Sequence, residues 1–305
     1  MTLEYVLKTK NLTKSYGNFR ALGGLDMNVP RGSIYGFVGK NGAGKTTLMR
    51  LICGLQEPSG GEYSLYGVTS SSPGIEKTRR RMGAVVETPS MYLDMTAHDN
   101  IIQQYRVLGV PSDTGADELL KLVGLHGTGK KKARNFSLGM RQRLGIAVAL
   151  AGDPDLLVLD EPINGLDPQG IIEMRELILR LNRERGITVI ISSHILDELS
   201  RLATHYGFID SGHMVREMSA QELDTAFRKS VRITVSDTKV LALVLDSIGA
   251  EYKLLSECEA DIYAELEVTE LVLRLHEKGC TVFRLREQDE SLEGFFMELV
   301  GGARI

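Results

Sequence analysis

The sequence predicts an α/β domain built on a buried parallel sheet, followed by a small α+β module of ferredoxin-like order. Three observations carry this. The run Gly39-Lys40-Asn41-Gly42-Ala43-Gly44-Lys45-Thr46-Thr47 has the spacing G-x-x-x-x-G-K-[ST] between an apolar strand, Ser33–Val38, and an amphipathic helical run, Thr47–Cys53. The stretches Leu156–Leu159 and Thr188–Ser193 are β-rich and lack polar alternation, as strands covered on both faces do. Beyond about residue 226 the pattern changes to short strands and helices in β-α-β-β-α-β-α order. The expected division is 1–222 for the first domain, with a helical subdomain at about 88–145, and 223–305 for the second.

The elements follow in order. Leu3, Tyr5 and Leu7 alternate with polar neighbours, which predicts an edge strand over 3–10. Thr13–Gly17 reads as a turn. Gly60–Gly67 reads as turn, strand and turn, and Met82–Glu87 as a short buried strand. From Thr88 to about Arg134 the chain is mostly helical and punctuated by Gly and Pro, with Lys130-Lys131-Lys132 as a solvated basic patch. Phe136–Arg143 leads into an apolar helix, Leu144–Ala151. The tight loop Asn164–Pro168 precedes a long helix from about Gln169 to Arg185, stopped by Gly186.

Composition narrows the function classes. A chain of 305 residues with 43% apolar content has ample core for two domains. A net charge of −4 gives no electrostatic reason to bind nucleic acid. Cys53, Cys258 and Cys280 have no C-x-x-C spacing and read as reduced, buried thiols. No basic leader followed by an apolar run opens the chain, and no apolar run reaches the roughly 18–20 residues that cross a bilayer.

The chemistry follows from the glycine-rich loop. A strand, a glycine turn and a helix start present unpaired backbone N–H groups to an anion. Such a loop is expected to wrap a nucleoside triphosphate, with Lys45 on the β- and γ-phosphates and the Thr46 hydroxyl on Mg²⁺. Asp160 and Glu161 end an apolar strand, where α/β sheets place their ligands. Asp160 is expected to hold Mg²⁺, and Glu161 to act as general base for an attacking water. His194 also ends a strand at that sheet edge; alone it reads as a structural histidine, beside the two acids as a group near the γ-phosphate or the water. Tyr16, 23 residues before Gly39, offers a ring to a base, although a tyrosine at a turn is by itself only a surface residue.

Together these residues resemble the ATP-binding subunit of an ABC transporter. Gly39–Thr47 matches the family's phosphate loop, Leu156–Glu161 its second motif, Asn164–Asp167 the loop between paired sites and His194 the switch histidine. Tyr16 matches the adenine-stacking aromatic. Phe136–Met140 stands where a Leu-Ser-Gly-Gly-Gln signature is expected, keeping Ser137 and Gly139 but carrying Leu138 and Met140. The resemblance covers about residues 3–220. Where the family normally has Gln at the end of the Met82–Val86 strand, this chain has Glu87, as in ATPases of bacitracin- and lantibiotic-type exporters that serve ABC-2 permeases.

The resemblance implies ATP and Mg²⁺ as ligands, with Tyr16, residues 39–47, Ser137, Gly139 and Asp167 binding nucleotide. Thr46, Glu87 and Asp160 bind metal, and Glu161 and His194 carry the chemistry. It further implies a homodimer or paired ATPase subunit with ATP sandwiched between copies, and an integral membrane permease. The location implied is cytoplasmic, at the inner face of the membrane through that permease. The alternative is a soluble ABC-type ATPase acting on a non-transport macromolecule, a class that usually carries two nucleotide domains or a long coiled-coil insertion.

Within the second module the expected elements are strands at 231–235, 251–256, 261–267 and 281–286, and helices at 239–248, 269–278 and 292–300. Ser219–Glu222 has capping-box spacing ahead of it. From residue 226 on, 10 basic and 15 acidic residues leave a net charge of −5, which argues against RNA or DNA. Asp289-Glu290 reads as a solvated face, and the module as regulatory or dimer-stabilising.

Overall fold

A computed structural model describes residues 4–110, 115–226, 230–263, 267–288 and 292–302. The chain divides into two compact units, Met1–Ala220 and Gln221–Ile305. Asp289 and Glu290 lie outside the described residues.

The first unit opens with a hairpin. Strands β1 (Tyr5–Tyr16) and β2 (Phe19–Pro30) meet across the two-residue turn Gly17-Asn18, which places Tyr16 directly opposite Phe19. There follow β3 (Ile34–Val38), α1 (Lys45–Ile52), β4 (Gly60–Leu65), β5 (Val68–Thr69), α2 (Ile75–Arg79) and β6 (Met82–Val85). The helical stretch holds α3 (Ala97–Leu108), α4 (Ala116–Leu122) and α5 (Leu138–Leu150). The unit continues through β7 (Leu156–Asp160), α6 (Pro168–Arg185), β8 (Thr188–Ser193), α7 (Leu196–Ser200), β9 (His205–Asp210) and β10 (His213–Ser219).

Two sheets result. An antiparallel sheet has the order β2-β1-β4-β5, and a six-stranded sheet the order β10-β9-β3-β8-β7-β6. In the second sheet β9, β3, β8, β7 and β6 run parallel, and only β10 is antiparallel. β3, β7 and β8 are buried at every residue, their apolar runs ending on buried polar side chains at Asp160 of β7 and at Ser192 and Ser193 of β8. β1 corrects one expectation: it pairs with β2 and β4, so it is interior and not an edge, and it continues through Thr13–Tyr16, where a turn was expected. Period-two alternation reports a half-buried face; it carries no information on how many edges of a strand are paired.

The sheets are bound together by α1. Its Leu48, Met49, Leu51 and Ile52 are fully buried, in one cluster with Leu7, Leu25 and Tyr63 of the antiparallel sheet and Leu156, Val158 and Ile190 of the parallel one. Each such side chain contributes roughly 1.5–3 kcal/mol by leaving water. The helix that follows the glycine loop is therefore anchored on two sides.

In the helical stretch, α3 starts with a capping box in which Thr96 and Asp99 satisfy each other's backbone N–H groups, and ends at Gly109. α5 begins at Leu138, six residues earlier than the apolar run, because Ser137 caps it by accepting the Met140 N–H at 3.3 Å. α6 is capped by Asp167, whose Oδ1 accepts the Gly170 N–H at 2.9 Å, and ends at Gly186 with φ +65°.

The second unit begins within α8 (Ala220–Ala226) and continues through β11 (Ser230–Val235), α9 (Thr238–Ser247), β12 (Tyr252–Leu254), β13 (Glu259–Ile262), α10 (Val268–Glu277), β14 (Val282–Gln288) and α11 (Leu292–Gly302). Its antiparallel sheet has the order β12-β13-β11-β14, the ferredoxin-like arrangement. Its core joins Ile233, Val235, Ala260 and Ile262 of the sheet to Leu241 and Leu245 of α9 and Leu271 and Leu275 of α10. On β11 and β13 the directly opposed Arg232 and Asp261 form a two-pronged ion pair at 2.7 and 2.8 Å. Cys280 is buried, but Cys258 is exposed, contrary to the expectation of three buried thiols, because it sits in the bend before β13. Among the described residues, no helix is long and apolar enough to cross a membrane.

Candidate functional site

Strand register assembles the site. β8 lies between β3 and β7, with Val38 paired to Ser193 and Asp160 to Ser192. Three parallel strands therefore end level, and Gly39, Glu161 and His194 leave them side by side. Around that edge is a cleft of about 310 Å³ whose wall includes Tyr16, the loop from Lys40 to Thr47, Glu161, Asn164 and His194.

The loop is held close to its neighbours. Gly44 caps α1 with φ +110°, and a Cβ there would stand 2.8 Å from the Ala21 carbonyl, so only glycine fits. Lys45 is 6% exposed, and its ammonium is satisfied by the carbonyls of Gly39 at 2.6 Å and Lys40 at 3.3 Å and by Glu161 Oε1 at 3.4 Å. The other Glu161 oxygen lies 2.5 Å from His194 Nδ1. One carboxylate thus joins the loop lysine to the histidine across three strand ends.

Asp160 points elsewhere. Its Oδ2 accepts the Thr46 hydroxyl at 2.8 Å and its Oδ1 the Ser192 hydroxyl at 2.6 Å. Ser192 Oγ also accepts the Glu161 N–H at 2.9 Å, so one buried serine orients both acids. Glu161 has φ +51°, a left-handed conformation that a residue with a side chain adopts only at some cost. The Thr46 and Asp160 oxygens suit Mg²⁺, which commonly takes one or two protein oxygens and completes its shell with phosphates and water. Among the described residues, no group of three or more His, Cys, Asp or Glu could hold a metal ion.

The remaining expected residues fall into two places. Tyr16, at the end of β1 and not on a loop, lines the cleft; its hydroxyl donates to Gln56 Oε1, and Lys14 Nζ lies 5.3 Å from its ring centroid. Ser137, Gly139 and Asp167 are not part of the cleft wall. A Cβ on Gly165 would meet Leu138 at 3.2 Å and one on Gly139 would meet Leu166 at 3.6 Å, so the start of α5 lies against the loop that precedes α6. Glu87 also lies outside the wall: it follows β6 with φ +63°, and its carboxylate pairs with Arg50 in the last turn of α1. Cys53, one turn further on, has its thiol pushed up to about 12 by burial, against the opposing pull of the Arg79 guanidinium and with a smaller push from Asp160.

Sequence reasoning missed Ser192, Asn164's place on the wall, Arg50 and Phe19. Ser192 is the next-to-last residue of β8 and gives no periodic signal. For Phe19 a signal existed: a two-residue Gly-Asn turn between aromatic residues marks a hairpin.

Comparison with known proteins agrees with this geometry. The profile of the ABC transporter family matches residues 22–164. The bacitracin transport ATP-binding protein BcrA of Enterococcus faecalis is 39% identical over 310 residues, covering 100% of this chain and 99% of its own. The lantibiotic transport ATP-binding protein SrtF of Streptococcus pyogenes is 41% identical over 229 residues, covering 74% of this chain and 97% of its own. An ATP-binding cassette solved as a dimer in a post-hydrolysis state with ADP and Pi superposes with a TM-score of 0.63 at 28% identity, covering 70% of this chain and 98% of that one.

Ser192→Ala strands a buried Asp160 oxygen and leaves the Glu161 N–H with only the Ser192 carbonyl at 3.2 Å. The expected cost is about 1–3 kcal/mol of stability, read as a lower denaturation midpoint of the full chain. An unchanged midpoint would show that the serine does not hold the two acids.

Proposed function

The chain belongs to the ATP-binding proteins of ABC transporters, and from that premise we propose that it is the ATP-hydrolysing subunit of an ABC-2-type exporter for peptide antibiotics of the bacitracin or lantibiotic kind. The observation that carries the ATPase reading is the Glu161 carboxylate set between Lys45 and His194 at the mouth of the phosphate loop. The cargo class rests on the full-length similarity to a bacitracin transport protein.

In this reading Lys45 exchanges its carbonyl and Glu161 partners for the β- and γ-phosphate oxygens. That exchange frees one Glu161 oxygen to face a water at the γ-phosphorus. The water oxygen bonds to phosphorus, the bond to the bridging oxygen breaks, ADP leaves, and Glu161 takes the water's proton. His194 holds the second oxygen and keeps the carboxylate aimed. Mg²⁺ held at Thr46 and Asp160 would offset the phosphate charge.

The site is completed by a second copy. Ser137, Gly139 and Asp167 lie outside the cleft wall, and the start of α5 packs against the Gly165-Leu166 loop that leads to Asp167. Such a helix start offers N–H groups to a γ-phosphate held by another subunit. ATP then bridges two chains, and hydrolysis releases them. Glu87 is assigned to sensing the metal–nucleotide state, because Arg50 already holds its carboxylate at the end of the loop's own helix. The helical stretch beyond it receives a cytoplasmic segment of the permease.

Three outcomes test this. Glu161→Gln lowers phosphate release by about 10²–10⁴-fold and leaves an ATP-bound dimer in size-exclusion chromatography; wild-type turnover removes the base assignment. Glu87→Gln raises the Mg²⁺ concentration needed for half-maximal turnover, and an unaltered Mg²⁺ dependence rules the sensor out. Tagged chain from detergent-solubilised host membranes co-purifies with a stoichiometric polytopic protein, and its deletion sensitises the host to peptide antibiotics. Recovery of ribosomal or DNA-bound proteins instead, with unchanged sensitivity, would overturn the export reading.

A further inference from the structure

We propose that Phe19 forms a second aromatic wall of the nucleotide-base subsite, beside Tyr16. The proposal rests on the nucleotide-binding reading and adds a residue to it. Tyr16 and Phe19 close the β1–β2 hairpin as a directly opposed pair, so their side chains leave the same face of the sheet about 4.5–5.5 Å apart at Cβ. Both line the cleft next to the phosphate loop.

The two rings are differently placed to receive a base. Tyr16 is committed on two sides, by its hydroxyl on Gln56 and by the Lys14 ammonium over its ring. Phe19 is 63% exposed, a large apolar ring left in water on the wall of the cleft. Covering that ring with a flat heterocycle recovers the apolar surface without asking for a hydrogen bond. With Tyr16 tethered, the free ring is the one that can turn to meet a base and close over it. The hairpin is fixed relative to the loop, because the Ala21 carbonyl beyond Phe19 abuts Gly44. The distance from ring to phosphates is thus set by backbone packing.

The test uses the full chain and two probes, Mg-ADP and Mg-tripolyphosphate, the second having the phosphates and no base. In calorimetric titration Phe19→Ala should weaken ADP about tenfold, the size of one base stack, and leave tripolyphosphate within about twofold of wild type. Phe19→Tyr should restore ADP affinity. The chain holds no tryptophan, so Phe19→Trp gives a single reporter whose emission should change with ADP and stay constant with tripolyphosphate. Equal ADP affinity in Phe19→Ala, equal losses for both probes, or an emission that ignores ADP would each overturn the proposal. Wild-type protein that binds neither probe would instead overturn the nucleotide-binding reading, and this one with it.

Discussion

The first unit depends on a buried cation. The Lys45 ammonium is almost wholly removed from water, and a charge so placed must be paired or neutralised. Its partners come from two directions: carbonyls of its own loop and a carboxylate from the end of β7. The loop must curl tightly enough to return its carbonyls, and β3 and β7 must end level for Glu161 to reach across. α1 must also be immobile, which its burial between two sheets ensures. A phosphate arriving at the loop competes with partners that already satisfy the lysine, so binding exchanges one set of contacts for another and does not rescue an unmet charge.

The two acids show how adjacent residues acquire different surroundings. Asp160 is the last residue of β7 and keeps strand geometry, which directs its carboxylate to Thr46 and Ser192. Glu161 turns left-handed at the next position, which redirects its side chain to Lys45 and His194. The change of direction is held by Ser192, whose hydroxyl donates to one acid and accepts from the backbone of the other.

What the sequence disclosed follows from which interactions are local. β3, β7 and β8 were legible because strands buried on both faces carry apolar runs without polar alternation, and the glycine loop because its spacing is set by covalent geometry. The second unit's order was legible from helix and strand periods, although Cys258 was misplaced by treating every thiol as core. The interior position of β1 was not legible: its second partner, β4, lies about 50 residues away, and nothing in Tyr5–Tyr16 encodes it. The Arg50–Glu87 pair was hidden for the same reason, being 37 residues apart on two elements joined only by the fold. Ser192 was invisible because its importance comes from the two acids in the neighbouring strand, not from any pattern in its own.

The positive φ at Glu161 has an evolutionary consequence. Glycine or asparagine tolerates that backbone better than glutamate, so selection for robustness alone would favour replacing this residue. Retaining the acid keeps a small debt of folding energy at the residue that links Lys45 to His194. Under the mechanism proposed above, the residue most easily improved for thermal endurance is therefore the one whose improvement would silence the protein. On that mechanism, computational stabilisation of this fold, if scored on stability alone, would drift towards an inert variant unless the position is held fixed.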